Sequence, residues 1–132
     1  MTISAVKAAQ QKKVDDLLNE KKVFFAFSKE QFEEGKTPLE EGDNYVKIGG
    51  GGYMPKNGAK SFWDEMQNIE LWFNEKMKDP ELRRANIKYE LENHEAYYTG
   101  EIEATAEALG EEYTPEEIRK VYREERQFHL ND

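Results

Sequence analysis

Apolar residues recur at helical spacing over most of this chain and crowd together in two short stretches near its middle. Ile3, Val6, Val14, Leu17 and Leu18 fall on one face of a first helix, with Gln10 as a misfit. Val23-Phe24-Phe25-Ala26-Phe27 is a compact run of strand formers, which predicts a buried strand. Ser28 and Gln31 have the S-x-x-Q form of a capping box, so a short helix should follow through about residue 34, closed by Gly35. Thr37-Pro38-Leu39-Glu40 resembles another helix start, but Gly42 ends it within a turn. Tyr45-Val46-Lys47-Ile48 alternates and predicts a second strand, able to pair antiparallel with the first.

The longest helical signal follows. Phe62, Met66, Ile69, Phe73 and Met77 step by three or four, leaving Trp63 and Trp72 beside the centre of the stripe. Asp79-Pro80 starts another helix, since proline suits a first helical position. Ile87, Leu91, His94 and Tyr98 share its face, and Gly100 ends it. Ile102, Thr105, Ala106 and Leu109 make a short helix closed by Gly110. Thr114-Pro115-Glu116-Glu117 then gives a cap, a first-turn proline and a capping-box acid, with Tyr113 and Ile118 spaced as a hydrophobic staple. The last helix carries Ile118, Val121, Tyr122 and Phe128. The pattern predicts a helix-dominated α+β fold over residues 1–132 as a single domain. Its antiparallel sheet has two strands, or three if Tyr53-Met54 resumes the second one.

Length and composition sharpen this picture. The 132 residues suffice for one domain with one modest core, and seven Phe, seven Tyr and two Trp make that core aromatic. Absence of cysteine removes disulfides, thiolate zinc sites and cysteine nucleophiles, and is compatible with a reducing cytoplasm. Residues 1–18 interleave lysines and aspartates with their apolar positions, so neither a signal peptide nor a membrane span is expected there.

The net charge of −9 disfavours direct nucleic-acid binding, which calls for a basic face. Its distribution is uneven. No Lys or Arg occurs between Tyr89 and Ile118, whereas Glu90, Glu92, Glu95, Glu101, Glu103, Glu107, Glu111, Glu112, Glu116 and Glu117 all do. A solvated helical surface accounts for such a run. A surface offered to a basic protein partner accounts for it more specifically, because interleaved cations are missing. Glu101, Glu103, Glu107, Glu111, Glu112, Glu116 and Glu117, with Tyr97 as an aromatic anchor, are the expected partner-binding residues.

Two other features invite chemistry. Gly49–Gly52 suggest a phosphate loop, but neither nucleotide motif is met. Gly58 is followed by Ala59, with Lys60 one place late for G-x-x-x-x-G-K-[ST]. G-x-G-x-x-G read from Gly49 ends on Met54, and from Gly50 on Pro55. A bulge or turn in the strand is the simpler account. Asn93-His94-Glu95 places a histidine among possible ligands, with Glu90 one turn earlier, yet His94 shares the apolar face of Leu91. His129, the other histidine, lies near the C-terminus. A small ligand- or metal-binding domain built on either feature is the alternative, and a phage assembly component, expected to form a defined oligomer, is a third. No enzyme signature, metal set or cofactor motif emerges.

Two stretches carry a likeness: V-F-F-A-F-S-K-E-Q-F-E-E-G-K-T-P-L-E-E-G followed by Y-V-K-I-G-G-G-G-Y-M-P-K, and Y-E-L-E-N-H-E-A-Y-Y-T-G-E-I-E-A-T-A-E-A-L-G-E-E-Y-T-P-E-E-I. They span most of residues 23–118. They resemble small acidic proteins of phages and mobile elements of gut bacteria, including anti-CRISPR inhibitors of type II effector nucleases. The resemblance implies a cytoplasmic, non-enzymatic DNA mimic that binds a guide-RNA-loaded CRISPR nuclease. It supplies no catalytic motif to carry over.

Overall fold

The computed structural model describes residues 1–130, with side-chain surroundings through Phe128. The fold is α+β and helix-dominated, with seven α-helices among the described residues and one three-stranded antiparallel sheet. The chain forms two compact units, Ser4–Asn74 and Glu75 onward with Met1–Ile3. The buried apolar residues correspondingly fall into two clusters, where the length alone suggested one.

In the first unit, α1 (Ile3–Glu20) leads into β1 (Phe24–Phe25), α2 (Lys29–Gly35), β2 (Tyr45–Gly49), β3 (Gly52–Pro55), one 3-10 turn and α3 (Ala59–Lys76). Strand order is β1-β3-β2. The expected direct pairing of the first two strands is therefore corrected. The glycines let the chain reverse, β3 returns beside β2, and β1 pairs with β3 through Phe24↔Tyr53 and Phe25↔Gly52. The register shifts between Lys47 and Gly49, a bulge at the mouth of the hairpin. Nor is β1 a buried strand. It lies at the sheet edge, and Phe25 and Phe27 are exposed.

The alternation of β3 sorts the two faces. Met54 is fully buried with Leu17 of α1 and Phe62 of α3, joined by Val46, Ile48, Met66 and Ile69. Tyr53 lies on the other face, where its ring, Phe24, Phe32 of α2 and Tyr45 stand 5.0–5.7 Å apart. The Tyr45 hydroxyl donates to the Thr37 carbonyl. Ser28 caps α2 by accepting from Gln31 N, as the sequence predicts. The Gln31 side chain, however, accepts from Phe27 N, one residue before the cap. Residues 37–40 form no helix. Of the two tryptophans, Trp63 is half exposed and Trp72 lies under the Lys13 ammonium at 4.8 Å.

The second unit is helical: α4 (Pro80–Asn93), α5 (Ala96–Thr99), α6 (Glu103–Leu109) and α7 (Pro115–Leu130). Asp79 caps α4, accepting from Glu81 N and Leu82 N. Ile87 and Leu91 of α4, Ile102 ahead of α6, and Ile118 and Val121 of α7 form the core with Ala96, Tyr97 and Tyr113. Each fully buried aliphatic side chain contributes about 1.5–3 kcal/mol relative to exposure. One expectation fails here. The helix begun at Pro80 does not run to Gly100 but stops at Asn93, and Glu95 takes a left-handed φ of 56° before α5 begins. That break buries Ala96 and Tyr97 and turns Tyr98 out to 91% exposure.

Candidate partner-binding face

The acidic run is laid out by the residues between the glutamates. Gly100, at φ 77°, closes α5 through its N–H to Ala96 O and turns the chain. Ile102 and Thr105 are buried and Ala106 and Leu109 half-buried, so α6 points one face inward. Positions 103 and 107 are thereby turned to solvent. Gly110 ends α6, and the Tyr113 N–H returns to Gly110 O at 3.2 Å. Thr114 caps α7 by accepting from Glu117 N at 3.1 Å. Tyr113 and Ile118, the expected staple, are both buried in the core.

Six of the expected glutamates, Glu101, Glu103, Glu107, Glu111, Glu112 and Glu116, are exposed on this scaffold. Among the described residues none of their carboxylates takes part in an ion pair. The seventh, Glu117, does not belong with them. Its carboxylate receives Arg83 Nε at 2.7 Å and Nη2 at 2.9 Å, and these hydrogen bonds hold its pKa below the usual carboxylate value against the opposing effect of burial. A backbone hydrogen bond from Thr114 lowers it further, the reach-back expected of a capping box. Tyr97 is also removed from the face. It is 8% exposed, stacked on Tyr122 at 5.7 Å, and burial pushes its phenol up to about 12. Tyr98 is the exposed ring of the pair.

The cations of this unit explain the imbalance. Residues 75–132 carry sixteen Asp and Glu against nine Lys and Arg, hence seven of the nine net negative charges. Arg83 holds Glu117 and donates to the Glu112 carbonyl at 2.7 Å. Arg84 holds Glu124 at 3.0 Å and Glu125 at 2.9 Å, and Lys88 lies 3.6 Å from Glu125. The basic side of α4 thus pairs with carboxylates of α7, and Arg83 meets Glu112 at its carbonyl rather than its carboxylate. Arg83 also lies over the Tyr113 ring, 4.1 Å from its centroid. No local pattern announces these pairings, since the partners are 29 to 41 residues apart.

At the turn between α6 and α7 the acidic face opens into a hollow of about 550 Å3. Ala106, Gly110, Tyr113, Thr114 and Pro115 line it, and Glu107 and Glu111 complete its wall.

The glycine loop and Asn93-His94-Glu95 have their own surroundings. Gly49, Gly50 and Gly51 all have positive φ, between 59° and 93°, and make the β2–β3 reversal. Lys60 is paired with Asp64 at 3.2 Å. His94 caps the end of α4, with Nε2 3.3 Å from Glu90 Oε2, while Asn93 and Glu95 are exposed. No group of three or more His, Cys, Asp and Glu among the described residues is arranged to hold a metal ion. The His129 side chain lies outside those described. No described helix is long and apolar enough to cross a membrane.

A protein-family model described as a family of unknown function, DUF7659, matches residues 6–127. No curated protein and no solved structure matches the chain.

Proposed function

The chain belongs to DUF7659, a family of unknown function, and we propose that it is a non-enzymatic cytoplasmic inhibitor that binds a basic, nucleic-acid-handling protein through its acidic face. One observation carries this reading. Arg83, Arg84 and Lys88 are engaged with Glu117, Glu124 and Glu125, whereas Glu101, Glu103, Glu107, Glu111, Glu112 and Glu116 stand exposed without an ion pair. Uncompensated like charges repel one another and weaken the fold slightly, but they focus a field that speeds encounter with a basic surface. The same field repels nucleic acid.

The resemblance to phage and mobile-element proteins makes a guide-loaded type II CRISPR nuclease the first partner to test. Such effectors hold their heteroduplex in a positively charged channel and read duplex DNA with arginines, chemistry that an acidic face suits. The experiment is plasmid cleavage by guide-loaded type II nucleases, with and without this protein, at two salt concentrations. Inhibition that weakens at the higher salt is expected. Joint reversal of Glu107, Glu111 and Glu112 to lysine should remove it while circular dichroism stays unchanged. Full cleavage by every nuclease tried eliminates that partner class. Inhibition untouched by the triple reversal eliminates the acidic face.

A further inference from the structure

We infer that the hollow between α6 and α7 seats an arginine-bearing segment of the partner, a deepening that rests on the binding role of the acidic face. Apolar surface there adjoins two unpaired carboxylates. Ala106, Tyr113 and Pro115 supply the apolar wall, and Glu107 and Glu111 the charge. The hollow, about 550 Å3, is wide open to solvent. It admits an arginine side chain together with an apolar neighbour.

Local backbone chemistry keeps the hollow open. Gly110 has φ 87°, and the space where its Cβ would stand has no neighbouring atom within 4 Å. Ala106 presents only a methyl group, and Pro115 holds the first turn of α7.

The occupant follows from the walls. A purely apolar ligand would gain nothing from the charge of Glu107 and Glu111. Ammonium is compact and strongly hydrated. Guanidinium is planar, weakly hydrated, bonds carboxylates through a fork of donors and lies flat on aromatic and apolar surface, with an alkyl stem that tolerates burial. The protein already uses this chemistry next to the hollow. Arg83 covers the Tyr113 ring at 4.1 Å while its Nε and Nη2 bond the Glu117 carboxylate and Nη2 also bonds the Glu112 carbonyl.

The test is a backbone-amide NMR titration of the full chain with three probes: polylysine, the peptide acetyl-Ala-Leu-Arg-Leu-Ala-amide, and the same peptide with Lys for Arg. The arginine peptide should shift Ala106, Gly110, Glu111 and Thr114 and bind severalfold tighter than its lysine counterpart. Glu107→Gln with Glu111→Gln should weaken it severalfold more than Glu101→Gln with Glu103→Gln, an equal change in charge. Equal binding of the two peptides, or equal losses in the two double variants, overturns the hollow as an arginine seat. If polylysine still shifts residues 101–116 in that case, the acidic face stands without it. No shift with any probe overturns both.

Discussion

Arg83 and Glu117 are joined at two points, Nε to Oε1 at 2.7 Å and Nη2 to Oε2 at 2.9 Å. The pair ties α4 to the first turn of α7 and decides which glutamate is withheld from the acidic face. Both side chains keep about a third of their surface exposed, 29% and 33%, so water screens the attraction. Glu117→Gln should cost about 1 kcal/mol. Arg83→Met should cost about 2 kcal/mol, because the contacts with the Tyr113 ring and the Glu112 carbonyl are lost too. Urea denaturation of the two variants measures the difference, and equal losses would remove the ring contact from the account.

The same pair sets an acid limit. Glu117 titrates below the ordinary 4.5, first through its hydrogen bonds from Arg83. A carboxylate whose folded pKa is depressed stabilises the fold above its unfolded pKa, and that contribution is lost as pH falls through the folded value. The stability gap between the native protein and Glu117→Gln should therefore be constant above about pH 5 and close on acidification below 4.5. A gap that persists unchanged at low pH would mean that the carboxylate's charge is not what matters.

Thr114 supplies the cap of α7, its hydroxyl accepting from Glu117 N at 3.1 Å. Thr114→Ala should lower stability by about 1 kcal/mol. Thr114→Ser keeps the acceptor and should recover most of that loss. If serine behaves like alanine, the threonine methyl group carries the effect instead of the cap.

Thr114 also marks what was legible in the sequence. Helix starts at Ser28 and Thr114 were readable because a cap involves one side chain and the next few N–H groups, and that of α4 because Pro80 suits a first helical position. The inward positions Ile102, Thr105, Ala106 and Leu109 were readable by period. What escaped was non-local. Nothing near Tyr53 says that β3 lies between β1 and β2. Glu117 looks like its neighbours until Arg83, 34 residues away, reaches it. The break at His94-Glu95 was hidden because Glu95 adopts a left-handed backbone that sequence rules assign to glycine or asparagine. Burial of Ala96 and Tyr97 holds it there, and missing that break placed Tyr97 rather than Tyr98 on the surface.

The glycine reversal makes a separate prediction. Gly51 has φ 82°, and a Cβ there would stand 2.4 Å from the Phe27 ring. Phe27 is largely exposed and can swing away, so the backbone conformation is the main cost, roughly 1–2 kcal/mol for Gly51→Ala. Gly50 has φ 59° and no neighbour within 4 Å. Asparagine tolerates that geometry, so Gly50→Asn should change stability by less than about 1 kcal/mol. Thermal unfolding of both variants tests the hairpin. Equal, large losses would mean that the glycines serve something other than the turn.

Tyr97 offers the most direct check on which side chains face a partner. Burial raises its phenol to about 12, helped by Glu125 and Glu92 and opposed by Arg84. Tyr113 is raised too, first by burial. Tyr98, by contrast, is almost wholly in solvent. In a spectrophotometric titration, Tyr97→Phe should remove a step near pH 12. A raised folded pKa means that the neutral phenol favours folding. That contribution is complete below pH 10 and is lost as pH climbs through about 12. Stability of the native protein should therefore fall more steeply than that of Tyr97→Phe above pH 10. If Tyr97 ionises near 10 instead, its ring is accessible to solvent, and it returns to the partner-binding face beside Glu101.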